Sequence, residues 1–184
     1  MFSIVIATND SERALVPTLA ALVPGATAGI VREVVVADGG SHDATERVAD
    51  IAGCRFLVSS APPGARLKAA ALGARGDWLM FIRPGAVPGF TWIDEVSAFV
   101  EKTGADERAA VFAPPPEWSG IAAVFRDLTG RAPAAQQALM IAKAFYLELG
   151  GHRADARTPE AGMLRMIGRR RLTRLRTSIS LPNI

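Results

Sequence analysis

Reactive side chains are scarce in this sequence. Its 184 residues include one cysteine, Cys54, and two histidines, His42 and His152. A lone cysteine forbids an intramolecular disulfide and suits a reducing compartment, so a cytoplasmic protein is expected. Two histidines with no H-E-x-x-H spacing leave no zinc site. The phosphate-cradling G-x-x-x-x-G-K-[ST] is missing, as are the dinucleotide fingerprint G-x-G-x-x-G and the nucleophile elbow G-x-S-x-G, which removes the commonest α/β enzymes. No apolar run approaches the roughly 20 residues of a membrane helix. The opening Met1-Phe2-Ser3-Ile4-Val5-Ile6 has no basic residue and soon meets Asn9 and Asp10, so it reads as a first strand and not as a leader.

What is present is ordinary for a folded chain. Hydrophobic residues make up 49% and charged residues 21%, which excludes a mostly disordered protein, and the length suits a single domain over 1–184. Charge is uneven. Residues 1–150 carry 13 Lys and Arg against 16 Asp and Glu, whereas 151–184 carry 8 against 2. Arg165, Arg169, Arg170, Arg171, Arg174 and Arg176 form a basic cluster that reads either as a solvated helix end or as a contact for anionic lipid, nucleic acid or phosphorylated ligands.

Short β-branched runs alternate with longer helical stretches, the pattern of βαβ units. Strands are expected at 2–7, 32–37, 54–58, 77–82 and 109–113. Helices are expected at 11–23, ending at Pro24-Gly25, and at 42–52, 65–75, 88–102, 118–128 and 134–149, the last with Leu139, Ala142, Phe145 and Leu149 on one side. The three prolines at 114–116 are the nearest thing to a boundary, dividing a nucleotide-binding half, 1–113, from a helical acceptor-side half with its basic tail, 114–184. Trp78 and Trp92 read as core, and Trp118 as the ligand-facing tryptophan.

The most informative stretch is Val34-Val35-Val36-Ala37-Asp38-Gly39-Gly40-Ser41-His42-Asp43-Ala44-Thr45. A β-branched strand runs into an aspartate, two glycines and a helix start, which is how an open α/β sheet builds a ligand crevice at a strand's carboxyl end. Ser41 or Asp43 can cap the next helix, with Glu46 as a capping-box partner for Asp43, and that helix N-terminus would favour an anion in the crevice.

Together with Ser3-Ile4-Val5-Ile6-Ala7-Thr8-Asn9, Gly64-Ala65-Arg66-Leu67-Lys68-Ala69-Ala70-Ala71 running to Gly76-Asp77-Trp78-Leu79-Met80-Phe81-Ile82, and Gln137-Ala138-Leu139-Met140 before Leu149-Gly150-Gly151, this stretch resembles the family 2 glycosyltransferases in order and spacing over about 150 residues. The likeness is to the short bacterial members. It implies an α/β fold, a single three-layer domain with a mostly parallel sheet, of the nucleotide-diphospho-sugar transferase (GT-A) type. It also implies transfer of a sugar from a nucleotide-diphosphate-sugar donor to an unknown acceptor. Ala7, Thr8 and Asp38 fall where the family holds base and ribose, with Gly39 lining the same crevice.

Two departures matter. The family's fourth strand ends in a carboxylate motif that holds Mg²⁺ or Mn²⁺; here it ends Ile82-Arg83-Pro84-Gly85-Ala86, a degenerate metal motif. The expectation is therefore that no divalent metal is required and that Arg83, Arg66 and Lys68 neutralise the diphosphate. The family's Glu-Asp pair appears as Glu160-Ala161, leaving Glu160, Asp155 or His152 as candidate base. Glu160 and Arg83 are the expected catalytic residues. His42 and His152 otherwise read as local capping or solvated residues. The alternative is a catalytically inactive relative that binds a nucleotide sugar or a protein. Peripheral contact with the anionic inner membrane surface is expected of the arginine tail, and no nucleic-acid partner is expected.

Overall fold

The computed structural model describes residues 1–103, 108–113, 138–156 and 158–181. The chain runs β1 (Phe2–Thr8), α1 (Glu12–Thr27), β2 (Val31–Asp38), α2 (Thr45–Ile51), β3 (Arg55–Val58), α3 (Pro63–Leu72), β4 (Trp78–Ile82), β5 (Val87–Pro88), α4 (Trp92–Thr103), β6 (Ala109–Ala113), β7 (Ala138–Ala142), α5 (Lys143–Glu148), α6 (Pro159–Ile167), a 3₁₀ turn (Arg169–Arg171) and β8 (Leu172–Ser180). The strands form one sheet in the order β3-β2-β1-β4-β7-β6-β8-β5. It is mostly parallel: β1 pairs in parallel with β2 and β4, β2 with β3 and β6 with β8, while β4 with β7, β6 with β7 and β5 with β8 are antiparallel.

Helices cover both faces. Trp78 packs edge-on to Phe99 of α4, and Trp92 of α4 lies where a Cβ on Gly25 of α1 would sit. Phe81, three residues from Trp78 and so on the opposite face of the strand, packs on Tyr146 of α5 and on His152. The first turn of α3 shares that second face, because a Cβ on Gly64 would press on the Arg153 carbonyl. β1, β4 and β7 are wholly or almost wholly buried, which is why their sequences are continuous apolar runs.

Three expected elements come out differently. Residues 138–142 are not helix but the strand β7, wedged between β4 and β6. Ala-Leu-Met-Ile-Ala has no polar side to mark a period, and only the helix after it, α5, survives from the expected 134–149. α1 does not stop at Pro24-Gly25: Pro24 falls in its last turns, and Gly25 is there for the close approach of Trp92, the true stop being Gly29 at φ +73°. The arginine tail is a helix end only at Arg165, in the last turn of α6. Beyond α6 and the 3₁₀ turn it becomes β8, with Leu175, Thr177 and Ile179 turned inward and Arg174 and Arg176 outward. The expected helix at 118–128, with Trp118, lies outside the described residues.

Candidate functional site

Chain order and strand order first part company beside β1. The sheet is built outward from β1 through β2 to β3, and β4 then returns to the other side of β1. Crevices for ligands open at such a reversal, outside the carboxyl ends of the strands. Thr8, Asp38 and Ile82 end the three strands concerned, Thr8 standing opposite Asp38.

Asp38 is 1% exposed and fully bonded. Its Oδ1 accepts from the Thr8 hydroxyl at 2.7 Å and the Ser41 hydroxyl at 2.5 Å, and its Oδ2 accepts from the backbone N–H of Gly40 and of Ser41, both at 2.7 Å. A carboxylate has about four acceptor sites, and all are taken by this chain. Burial pushes the carboxyl pKa up, but the bonds from Ser41, Thr8 and Gly40 outweigh it and hold the group below the ordinary aspartate range. Asp38 thus braces the turn after β2, which Gly40 makes possible at φ +90°.

Beneath that turn lies Arg66, the buried cation of α3. Its Nη1 donates to the Thr8 carbonyl at 2.7 Å and the Ala37 carbonyl at 2.8 Å, pinning the ends of β1 and β2 together. Its buried Nε has no partner. Burial lowers the Arg66 pKa and the Asp38 charge partly restores it, yet the two make no ion pair. A Cβ on Gly39 would lie 2.5 Å from Asn9 Oδ1 and 2.9 Å from Arg66 Nη1, so only glycine fits there.

The loops after β1 and β2 cap each other. Asp10 N donates to Ser41 Oγ at 2.8 Å and His42 N to Asp10 Oδ1 at 2.7 Å; Ser11 N donates to Thr45 Oγ1, and Glu12 N to Asp43 Oδ2. Asp43 also takes the Thr45 N–H at 3.0 Å. It therefore serves two helix starts at once, and no capping box with Glu46 forms.

The remaining expected residues spread along the rim. Ala7 is half-buried beside Thr8. Arg83 is exposed at the first position of a turn in which Ala86 N donates to its carbonyl at 3.1 Å, with Pro84 second and Gly85 third at φ +87°. Gly85 N ties that turn to Ala14 and Thr18 of α1, so Arg83 stands at the same sheet end as Asp38. Lys68 is half-buried two residues past Arg66, about 200° around the helix from it, and the two diverge. Of the candidate bases, Asp155 is exposed and paired with Arg153, whose hydrogen bond holds its carboxyl below the usual range. Glu160 is half-buried in the first turn of α6. His152 is neither capping nor solvated: it is 1% exposed, bonded to Tyr146, and pushed down to a pKa of about 4 by burial. Sequence reading missed its partner Tyr146, the only tyrosine in the chain.

Sheet order, the crevice at its switch point and the braced turn after β2 together define the nucleotide-diphospho-sugar transferase fold of GT-A type. Solved structures of that fold are similar over nearly the whole chain. Glucosyl-3-phosphoglycerate synthase from Mycobacterium tuberculosis, solved with Mn²⁺, UDP and glucosyl-3-phosphoglycerate, matches with a TM-score of 0.74 at 16% identity, over 100% of this chain and 72% of that one. The same synthase solved with Mg²⁺ and UDP matches equally well at 17% identity. S. aureus TarS 1–349 matches with a TM-score of 0.68 at 16% identity, over 95% of this chain but only 57% of that one. No protein-family profile and no curated protein matches the sequence.

These structures overturn the expectation that divalent metal has no part, since the synthase was solved with Mn²⁺ or Mg²⁺ alongside UDP. The side chains described in this chain do not themselves compose such a site. Among the described residues no three of His, Cys, Asp and Glu cluster where they could hold an ion, Asp38 is fully bonded, and Asp77 stands before β4 at the opposite end of the sheet, against the N-terminal amine.

Proposed function

We propose that this chain is a glycosyltransferase of family 2, close to the short bacterial members, that moves a sugar from a nucleotide-diphosphate donor to an acceptor hydroxyl. The observation that carries the reading is Arg66: a buried guanidinium held on two strand-end carbonyls at the switch point, with no carboxylate in direct contact among the described residues. A preorganised cation in a low-dielectric setting stabilises a leaving diphosphate without reorganisation.

In this reading residues 1–113 hold the donor and 114–184 the acceptor. Ala7, Thr8 and Gly39 frame the base and ribose, Asp38 acting through the turn it braces. Arg66 and Arg83 meet the diphosphate from different sides, and Lys68, which points away from Arg66 around α3, contributes only longer-range positive charge. As the acceptor oxygen bonds to the anomeric carbon, the bond from that carbon to the diphosphate breaks with its electron pair, and Glu160 takes the acceptor proton. The protein works in the cytoplasm, with arginines of 165–176 on the anionic inner membrane surface. Pelleting with anionic but not neutral vesicles, lost on adding salt, checks that last point.

Calorimetry against UDP, GDP, dTDP and their sugars, with and without Mn²⁺, tests the donor half of the reading; release of the nucleotide diphosphate in the presence of acceptor mixtures tests the rest. No binding to any member of the panel would refute the proposal. Binding without release under every condition would favour the second reading, a catalytically silent nucleotide-sugar-binding module, for which the departure at Arg83-Pro84-Gly85 speaks.

A further inference from the structure

We infer that Tyr146 and His152 form a clasp that fixes the segment between α5 and α6 against the sheet and so positions the acceptor side of the crevice. What the segment is positioned for rests on the sugar-transfer reading; the clasp itself rests on geometry alone. Gly150 and Gly151, at φ +81° and +70°, turn the chain sharply after α5 and offer no side chain to anchor it. The anchor comes from either side of the turn. The Tyr146 hydroxyl accepts the His152 backbone N–H at 3.1 Å and meets His152 Nδ1 at 2.9 Å. With no other acceptor for the hydroxyl proton among the described residues, that proton goes to Nδ1 and the ring proton to Nε2.

Both rings are buried and stack against Phe81 near the end of β4, His152 edge-on at 4.6 Å and Tyr146 at 5.2 Å. Gly151 lies so close that a Cβ would sit 3.0 Å from the Tyr146 ring. On the other side, Gly64 in the first turn of α3 lies against the Arg153 carbonyl, leaving no room for a Cβ. The clasp therefore couples the segment bearing Asp155, and leading into Glu160, to the helix bearing Arg66. An apolar side chain would fill the same space without the unpartnered Nε2 that His152 leaves buried. A costly polar group retained where packing alone would suffice points to a fixed geometry that the site needs.

Tyr146→Phe, His152→Phe and His152→Asn, the last keeping an acceptor near Nδ1, test this by three readouts: the Kd of the nucleotide, kcat against KM for nucleotide release, and amide hydrogen exchange. Tyr146→Phe and His152→Phe should leave the Kd within about twofold, lower kcat roughly 10- to 100-fold, as misplacing a reacting group by about 1 Å does, and speed exchange at 150–156 but not in β1, β2 or β4. His152→Asn should recover most of the kcat. Unchanged exchange in Tyr146→Phe overturns the clasp. Unchanged kcat, or a loss shared equally by Kd, overturns the positioning role. Should the native chain bind nucleotide sugars without turnover, the positioning role falls with the transfer reading, and exchange alone decides the clasp.

Discussion

Two buried carboxylates brace the β1–β2 pair, one at each end, and they are treated oppositely. At the amino end Glu33 accepts from the Ser3 hydroxyl at 2.8 Å and from Arg75 N and Nε, with Arg55 3.7 Å away. Burial raises its pKa, and the bonds from Arg75 and Ser3 and the two guanidinium charges more than reverse this. Charge there is cancelled on the spot. At the carboxyl end Asp38 is bonded only by neutral hydroxyls and amides, and Arg66 only by neutral carbonyls. Under the proposed function, keeping the two out of direct contact leaves Arg66 able to meet a diphosphate, and that difference would separate a staple from a site.

Removing each carboxylate is the strongest way to break the comparison. Asp38→Ala orphans four buried or half-buried donors, each costing about 1–3 kcal/mol, so stability should fall by about 4 kcal/mol or more, and binding of whichever nucleoside diphosphate the calorimetry identifies should disappear with the turn. Glu33→Gln should cost about 1–3 kcal/mol, because Arg75 can turn to solvent, and leave the folded protein's affinity for that nucleoside diphosphate unchanged. Urea melts beside calorimetry check both; an Asp38→Ala protein with native affinity would show that the braced turn is not part of the site.

Acid should separate the crevice side from the amino end next. His152 titrates near 4 when folded, against an ordinary 6.5, so between those values the unfolded chain binds the extra proton and stability falls as pH falls. From pH 7 to 5 the loss should be about 2 kcal/mol. Glu33 and Asp38, both with lowered pKa, contribute stability above the ordinary carboxylate range and lose it only below about pH 4.5, so they are silent in that window. Thermal melts of His152→Asn should show a flatter slope between pH 7 and 5, and a slope unchanged from the native protein would remove His152 as its source.

Arg66→Met keeps the length of the side chain and deletes the charge. Affinity for the nucleoside diphosphate should fall roughly 10- to 100-fold, the range for a charge-assisted bond, while affinity for the matching nucleoside changes little. Equal losses for both ligands would mean that Arg66 acts only by pinning the strands.

The carboxyl end was the more legible in the sequence. A β-branched run ending in Asp38-Gly39-Gly40 announces its turn through local chemistry, and so the first four strands and the turn after β2 could be anticipated. Glu33 could not, because its partners lie 30 and 42 residues away. Arg66 gave a weaker signal: it shares a face with Gly64, Leu67, Ala70 and Ala71, the buried side of α3, where a cation must have partners, yet an alanine-rich helix conceals which side is inward. His152 looked like a residue just past a helix stop. Only the fold brings Phe81, 71 positions earlier, against its ring. β7 failed for the same reason in reverse, since a run with both faces buried carries no period to read.

Arg83 offers the smallest and sharpest test. Like Arg66 it stands at the switch point, but it is exposed, and its turn is held by backbone and by Thr18, not by its own guanidinium. Water screens an exposed charge, so its attraction for a diphosphate is worth about 0.5–1 kcal/mol where a buried one is worth several times more. Arg83→Ala should therefore leave stability unchanged and weaken binding of the nucleoside diphosphate roughly two- to fivefold, with the gap to native closing as salt is raised; Arg66→Met should keep most of its deficit at high salt, because low-dielectric surroundings exclude the screening ions. Matched titrations at low and high salt distinguish the two. If Arg83→Ala costs as much as Arg66→Met and resists salt equally, the turn at Arg83-Pro84-Gly85 closes over the bound diphosphate, and the cation of the site is Arg83 rather than the one beneath the strands.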